Sequence, residues 1–147
     1  RGTRQLLALA SIIVMEPPVV VLDEPTTGLD FRECAKVMGV VSELNENGTT
    51  VIMVCHDMEV VADYATRVIA MTAGTVVADG PTFEVLRDRD VLERTHLLPP
   101  QIVDVSMRLV DADPALAATA VGGANTLDDM TAAIVAAVGD TMKEGAR

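Results

Sequence analysis

Positive charge is scarce in this sequence. Its 147 residues include 11 Lys and Arg against 22 Asp and Glu, so the formal net charge is −11 and the isoelectric point is about 4.4. Proteins that track the phosphates of DNA or RNA carry clustered basic residues instead. The composition therefore argues against a nucleic-acid partner.

Cysteines and long apolar runs are also few. The two cysteines, Cys34 and Cys55, lie alone in apolar stretches, which excludes a disulfide framework and favours a reducing compartment. The apolar runs are shorter than the roughly 20 residues that a membrane-spanning helix needs. With 50% apolar and 22% charged residues, the composition is typical of a folded globular protein.

One apolar run ends in two adjacent carboxylates. Residues 19–22 show no polar alternation, which predicts a strand buried on both faces from Val19 to Asp23, and Glu24 follows directly. Two like charges there would repel each other and lose hydration unless a cation lies opposite them. A bound Mg²⁺ ion would meet this need, with one carboxylate near the metal and the other facing water.

A second strand is predicted to end at the same edge of a sheet. Asp30 has an acidic residue three positions later, which predicts the N-cap of an amphipathic helix. Residues 50–55 are β-branched and apolar, which predicts another buried strand, and His56 follows it. Because the carboxyl ends of parallel strands meet at one edge, Asp23, Glu24 and His56 are predicted to lie together.

The chain is predicted to have two parts, residues 1–96 and 97–147. Helices and strands alternate up to about residue 86, which predicts an α/β fold with a parallel sheet, and Ala73-Gly74 predicts a hairpin turn. The second part is predicted to be a helical extension, with Thr126 capping its last helix. The apolar residues of its two main helices are Ile102, Val105 and Leu109, and Leu127, Met130, Ile134 and Val138. These faces are predicted to be buried against the rest of the chain or against another subunit.

Three segments together resemble the ATPases of ATP-binding cassette (ABC) proteins. "VVVLDEPTTGLD", from residue 19, resembles the Walker B strand and D-loop of that family, and "VIMVCHD", from residue 51, resembles its switch-histidine strand. "RGTRQLLALAS", from residue 1, resembles the end of the ABC signature motif. The segments occur in the family's order, and Asp23 and His56 are 33 residues apart, a usual spacing for the family. The resemblance implies a P-loop NTPase-like fold over roughly residues 1–87.

The resemblance also implies a role for each residue at the predicted strand ends. Asp23 would hold Mg²⁺ through water, and Glu24 would act as the general base in ATP hydrolysis. His56 would contact the γ-phosphate of ATP. The cofactors implied are thus ATP and Mg²⁺.

Two further positions are implied to act across a subunit boundary. Asp30, together with residues 27–29, would reach a second ATPase subunit. Gly2 falls on the second glycine of the signature motif, where backbone N–H groups at a helix N-terminus meet the partner's γ-phosphate. The motif is incomplete here, because Arg1 stands in place of its first glycine and Thr3 in place of its glutamine.

A phosphate-binding loop is missing from these 147 residues. A P-loop requires Gly-x-x-x-x-Gly-Lys followed by Ser or Thr, whereas the two lysines, Lys36 and Lys143, follow Ala35 and Met142. The chain is therefore expected to hold half of a nucleotide site and to be inactive alone. We expect this chain to be the C-terminal part of a longer protein, and so an N-terminally truncated ATPase domain, because its first helical pattern starts without a capping residue.

A finer resemblance involves residues 93–109, "ERTHLLPPQIVDVSMRL". Energy-coupling factor transporter ATPases, which drive uptake of vitamins or of nickel and cobalt, often carry such a Leu-Pro-Pro-Gln segment after the nucleotide domain. This resemblance implies a peripheral protein at the cytoplasmic face of the cell membrane. Its implied partners are transmembrane transporter subunits and a second ABC ATPase subunit or domain.

Three alternatives stay open at this level. A response-regulator receiver would be phosphorylated on Asp23, but that fold needs a lysine at the end of a later strand, and neither lysine is so placed. A non-transport ABC ATPase, acting in DNA repair or on ribosomes, usually carries long coiled-coil or basic insertions. A non-catalytic regulatory fragment would require that the missing half of the site be degenerate.

Overall fold

A computed structural model describes the backbone of residues 2–144 and the side chains of residues 7–12 and 14–138. The chain divides into two compact units, Arg1–Tyr64 and Ala65–Arg147. This division differs from the predicted boundary between residues 96 and 97. Residues 65–96 belong to the same compact unit as the C-terminal helices.

Two parallel strands form the sheet of the first unit. β1 (Val19–Asp23) pairs with β2 (Thr50–Val54), and Asp23 at the end of β1 lies opposite Val54 at the end of β2. The helices of this unit are α1 (Gly2–Ile13), α2 (Phe31–Glu46) and α3 (Met58–Tyr64). This pairing confirms the predicted parallel sheet, and α2 connects the two strands.

The start of α2 follows from its capping residue. The Asp30 carboxylate accepts a hydrogen bond from the Glu33 backbone N–H at 2.8 Å, which satisfies one of the free N–H groups of the first turn. The predicted N-cap is therefore confirmed. This contact also gives Asp30 a structural role that is independent of any partner.

Only one face of the two-stranded sheet is covered by the described helices. Val20 and Leu22 point to that face and are buried with Val37 and Met38 of α2. The opposite face exposes Val19, Val21, Ile52 and Val54, each between 50% and 65% accessible. The prediction that β1 is buried on both faces is thus wrong for this structure, because side chains alternate between two faces of which one has no cover.

An antiparallel hairpin begins the second unit. β3 (Arg67–Thr72) pairs with β4 (Thr75–Pro81) through a two-residue turn, Ala73-Gly74, in which both residues have positive φ. Positive φ at both central positions suits the right-handed twist of a hairpin. The helices that follow are α4 (Thr82–Arg87), α5 (Arg89–Thr95), α6 (Gln101–Ala112), a 3₁₀ helix (Pro114–Ala118), α7 (Ala120–Gly123) and α8 (Leu127–Glu144).

The predicted apolar faces of α6 and α8 are only partly buried. Met130 packs in a cluster with Val121 and Ala124, and Ile102 contacts this cluster. The remaining members stay between 37% and 66% exposed; they are Val105, Leu109, Leu127, Ile134 and Val138.

α8 begins at a capping box, since Asp129 N–H donates to Thr126 Oγ1 and Thr126 N–H donates to the Asp129 carboxylate.

Arg87, at the end of α4, joins several parts of the C-terminal region. Its guanidinium donates to Asn125 Oδ1 at 2.8 Å, to the Gly122 carbonyl at 2.9 Å and to the Ala124 carbonyl. The fully buried Ser106 of α6 donates to the same Gly122 carbonyl at 3.0 Å. These acceptors are neutral, so they do not offset the effect of burial, which lowers the pKa of the Arg87 guanidinium. The hydrogen bonds replace the contacts with water that the guanidinium loses on burial.

Candidate functional site

The ends of β1 and β2 bring Glu24 and His56 into direct contact. The Glu24 N–H donates to the Val54 carbonyl at 2.9 Å, which extends the strand pairing by one residue. His56 comes two residues after Val54, and its Nδ1 lies 2.6 Å from Glu24 Oε1. The predicted meeting of these two residues at one edge of the sheet is thus present in the structure.

Glu24 has an unusual backbone conformation. Its φ is 49°, in the left-handed region that residues with a side chain seldom adopt. Such strain costs on the order of 1–3 kcal/mol and is found most often at functional sites. The chain turns out of β1 at this residue, and the Glu24 carboxylate reaches His56, two residues beyond the end of β2.

The charges of the pair stabilise each other. The hydrogen bond with His56 is the main cause that lowers the pKa of the Glu24 carboxyl, and the same bond raises the pKa of the His56 imidazole. The His56 side chain is 75% exposed and that of Glu24 is 32% exposed, so both are reachable by water and by a ligand. At neutral pH Glu24 is therefore an anion that can accept a proton.

The pH dependence of this pair is the first prediction. Between the lowered pKa of Glu24 and the raised pKa of His56, both groups are charged and their contact stabilises the fold. This stabilisation is lost when the pH falls through the pKa of Glu24 and also when the pH rises through the pKa of His56. A Glu24→Gln variant should therefore show a His56 pKa moved down toward the ordinary value of about 6.5. An NMR titration of the imidazole resonances measures this change, and an unaltered His56 pKa in the variant would contradict the contact.

Asp23 is an exposed carboxylate at the last position of β1. Among the residues that the structure describes, no group of three or more His, Cys, Asp and Glu side chains is arranged to hold a metal ion. Mg²⁺ usually takes one or two protein carboxylates and fills its other positions with water and phosphate oxygens. Asp23 could supply that single carboxylate.

The structure locates the two remaining predicted residues without assigning them a ligand. Gly2 lies in α1. Asp30 caps α2 through Glu33 N–H. Their roles toward a second subunit stay predictions.

Sequence reasoning missed one contact of Glu24. Thr27 Oγ1 donates to Glu24 Oε2 at 3.0 Å, so the second carboxylate oxygen is also bound. Thr27 was predicted only as part of the segment that reaches a partner. The signal that could have found this contact is a hydroxyl residue three positions after the glutamate in a tight turn.

Comparison with known proteins finds similar sequences among ABC transporter ATP-binding proteins. A putative ABC transporter ATP-binding protein of Methanosarcina mazei is 51% identical over 100 residues, which cover 68% of this chain and 17% of that protein. The chain is a homologue of ABC transporter ATP-binding proteins. The energy-coupling factor transporter ATP-binding protein EcfA of Methanothermobacter thermautotrophicus is 36% identical over 108 residues, 74% of this chain and 35% of that protein.

A solved ABC ATPase structure agrees with this assignment. The structure of cbiO1 from Clostridium perfringens, part of the ABC transporter complex cbiONQ, aligns with 78% of this chain and 42% of its own, at 33% identity and a TM-score of 0.55. The predicted fold class, that of an ABC ATPase domain with a P-loop NTPase fold, is confirmed. A family model described as "AAA domain, putative AbiEii toxin, Type IV TA system" matches residues 1–62.

The chain spans less than half the length of the relatives that it matches. In the described part of the chain, no helix is long and apolar enough to cross a bilayer.

Proposed function

We propose that this chain provides the Walker B half of an ATP-hydrolysing site in an ABC transporter. The observation that carries the proposal is the contact between Glu24 and His56, 2.6 Å apart at the carboxyl ends of two parallel strands. Ligands of open α/β sheets bind at this edge. Homology to ABC transporter ATP-binding proteins supports ATP as the ligand.

Each residue at this edge has a chemical task in the proposed reaction. Glu24 accepts a proton from water as the water oxygen bonds to the γ-phosphorus, while the bond to the leaving ADP oxygen breaks. In its protonated form, which the contact with Glu24 favours by raising the His56 pKa, His56 is the nearby cation and donor for the γ-phosphate oxygens. Asp23 would hold Mg²⁺, which when bound neutralises charge on the phosphates.

The other half of the site must come from elsewhere. None of the 147 residues forms a P-loop, so the cradle for the phosphates would lie on a segment outside these residues or on another chain. In the proposed arrangement, Gly2 in α1 and Asp30 before α2 face the second ATPase subunit. The nucleotide site would therefore be complete only when two ATPase subunits associate.

The proposed reaction energises a membrane importer of the energy-coupling factor type. The similarity to EcfA and to cbiO1, part of a transporter complex, supports this assignment together with the Leu-Pro-Pro-Gln segment of residues 98–101. The protein would bind transmembrane subunits and lie at the cytoplasmic face of the membrane. Vitamins or metal ions would be the transported cargo.

Nucleotide binding tests the division of the site. Residues 1–147 alone should show neither ATP hydrolysis nor micromolar ATP affinity in the presence of Mg²⁺, because backbone N–H groups and the lysine of a P-loop supply most phosphate contacts. The full-length protein should show both. Calorimetry measures the affinity, and circular dichroism of the short chain confirms that it is folded. Micromolar ATP binding by residues 1–147 would refute the proposal that the phosphate-binding half of the site lies outside them.

A non-transport ATPase is the second candidate. The match of the AAA-domain family model to residues 1–62 favours it, because that match includes β1, β2 and His56 without a transporter assignment. Association with membrane subunits distinguishes the two functions. Co-purification of the full-length protein with transmembrane subunits supports the importer, and ATP turnover by a protein that has no such partner supports the alternative.

A further inference from the structure

The Glu24 carboxylate is held at both of its oxygens. His56 Nδ1 lies 2.6 Å from Oε1, and Thr27 Oγ1 donates to Oε2 at 3.0 Å. The first contact comes from the end of β2 and the second from the turn that Glu24 itself begins. Two contacts from different directions leave the carboxylate plane little freedom to rotate.

The turn that carries Thr27 is itself well defined. Thr27 N–H donates to the Glu24 carbonyl at 3.3 Å, and Leu29 N–H donates to the Thr26 carbonyl at 3.1 Å. Gly28 has a φ of 75°, a conformation that suits glycine. The position of the Thr27 hydroxyl thus follows from the backbone and does not depend on a long, flexible side chain.

We infer that Thr27 is a positioning residue that orients the Glu24 carboxylate for proton transfer from the attacking water. The inference rests on the proposed function, in which Glu24 is the general base. A general base must keep its accepting oxygen within hydrogen-bond distance of the water, at about 2.6–3.2 Å. The side chain of Glu24 is 32% exposed and has three rotatable bonds, so with His56 alone it could still turn about the Oε1 contact.

Substitution of Thr27 in the full-length protein tests the inference. Thr27→Val removes the hydroxyl and keeps the branched shape, and it should lower kcat for ATP roughly three- to ten-fold, the scale of one ordinary hydrogen bond. The KM for ATP should stay unchanged, since Thr27 is not proposed to touch the nucleotide. Thr27→Ser keeps the hydroxyl and should retain a kcat close to that of the wild type.

A double-mutant cycle separates positioning from a general structural role. In a Glu24→Gln background there is no base to orient, so Thr27→Val should cause little further loss of the residual turnover. The inference is overturned if Thr27→Val retains wild-type kcat or if Thr27→Ser is as slow as Thr27→Val. It is also overturned if Thr27→Val lowers kcat by the same factor in the wild-type protein and in the Glu24→Gln variant. These results leave the proposed function intact, whereas wild-type turnover in Glu24→Gln alone would refute the function of Glu24 and the inference with it.

Discussion

Replacing Glu24 with Gln in the full-length protein should lower ATP turnover by about two orders of magnitude or more, the usual scale for a general base. The amide keeps the size of the side chain and can still accept from Thr27 Oγ1, but it cannot take a proton from water. ATP affinity should be nearly unchanged, because the phosphate cradle lies outside this pair. Steady-state hydrolysis and nucleotide titration measure the two quantities.

A matched control excludes a general effect of removing a carboxylate. Glu43 is exposed on α2, and Glu43→Gln makes the same chemical change away from the strand ends. Its turnover should equal that of the wild type. If Glu24→Gln hydrolyses ATP as fast as this control, the catalytic base lies elsewhere.

Replacing Gly122 with Ala should destabilise the second unit by about 1–3 kcal/mol, the usual cost of forcing an extra methyl group into a packed site. A Cβ atom there would collide with the Leu116 carbonyl oxygen and would lie 2.9 Å from Ala117 Cα. Both are backbone atoms, so no flexible side chain can move aside. A shift of the backbone would also disturb the Gly122 carbonyl, which accepts from Arg87 and Ser106.

The neighbouring glycine provides the control for this prediction. A Cβ atom on Gly123 would have no atom within 4 Å, and alanine is the better helix former. Gly123→Ala should therefore melt at or slightly above the wild-type temperature, while Gly122→Ala should melt at least about 4 °C lower. Thermal denaturation followed by circular dichroism measures both. Equal melting temperatures for the two variants would show that α7 does not pack closely against the 3₁₀ helix.

Elements with strong local signals were predicted well. The bounds of β1, the capping of α2 by Asp30 and the Ala73-Gly74 turn all agree with the structure. β2 ends at Val54, one residue before the predicted end, because Cys55 already begins the chain segment toward α3. Each of these features depends on a few neighbouring residues, whose side-chain chemistry and backbone preferences act over one turn or one strand.

Contacts between distant residues could not be predicted in this way. Arg87 binds Asn125, Gly122 and Ala124, which lie more than 30 positions later in the chain, and nothing in the local pattern around Arg87 marks it as half-buried. The exposure of one face of β1 was also missed. An unbroken apolar run indicates that both faces of a strand can be buried, but only the neighbouring elements decide whether they are.

The sequence by itself determined the chemistry available at the strand ends, because Asp23, Glu24 and His56 each follow directly from the end of a predictable strand. It also determined that no P-loop lies within these residues. Only the tertiary structure decided which atoms meet: the parallel register brings His56 Nδ1 to Glu24 Oε1, and the left-handed turn at Glu24 brings Thr27 Oγ1 to the other oxygen. The physical reason is that residue types set what a group can donate or accept, whereas hydrogen bonds require distances near 3 Å that arise only from strand pairing and backbone geometry.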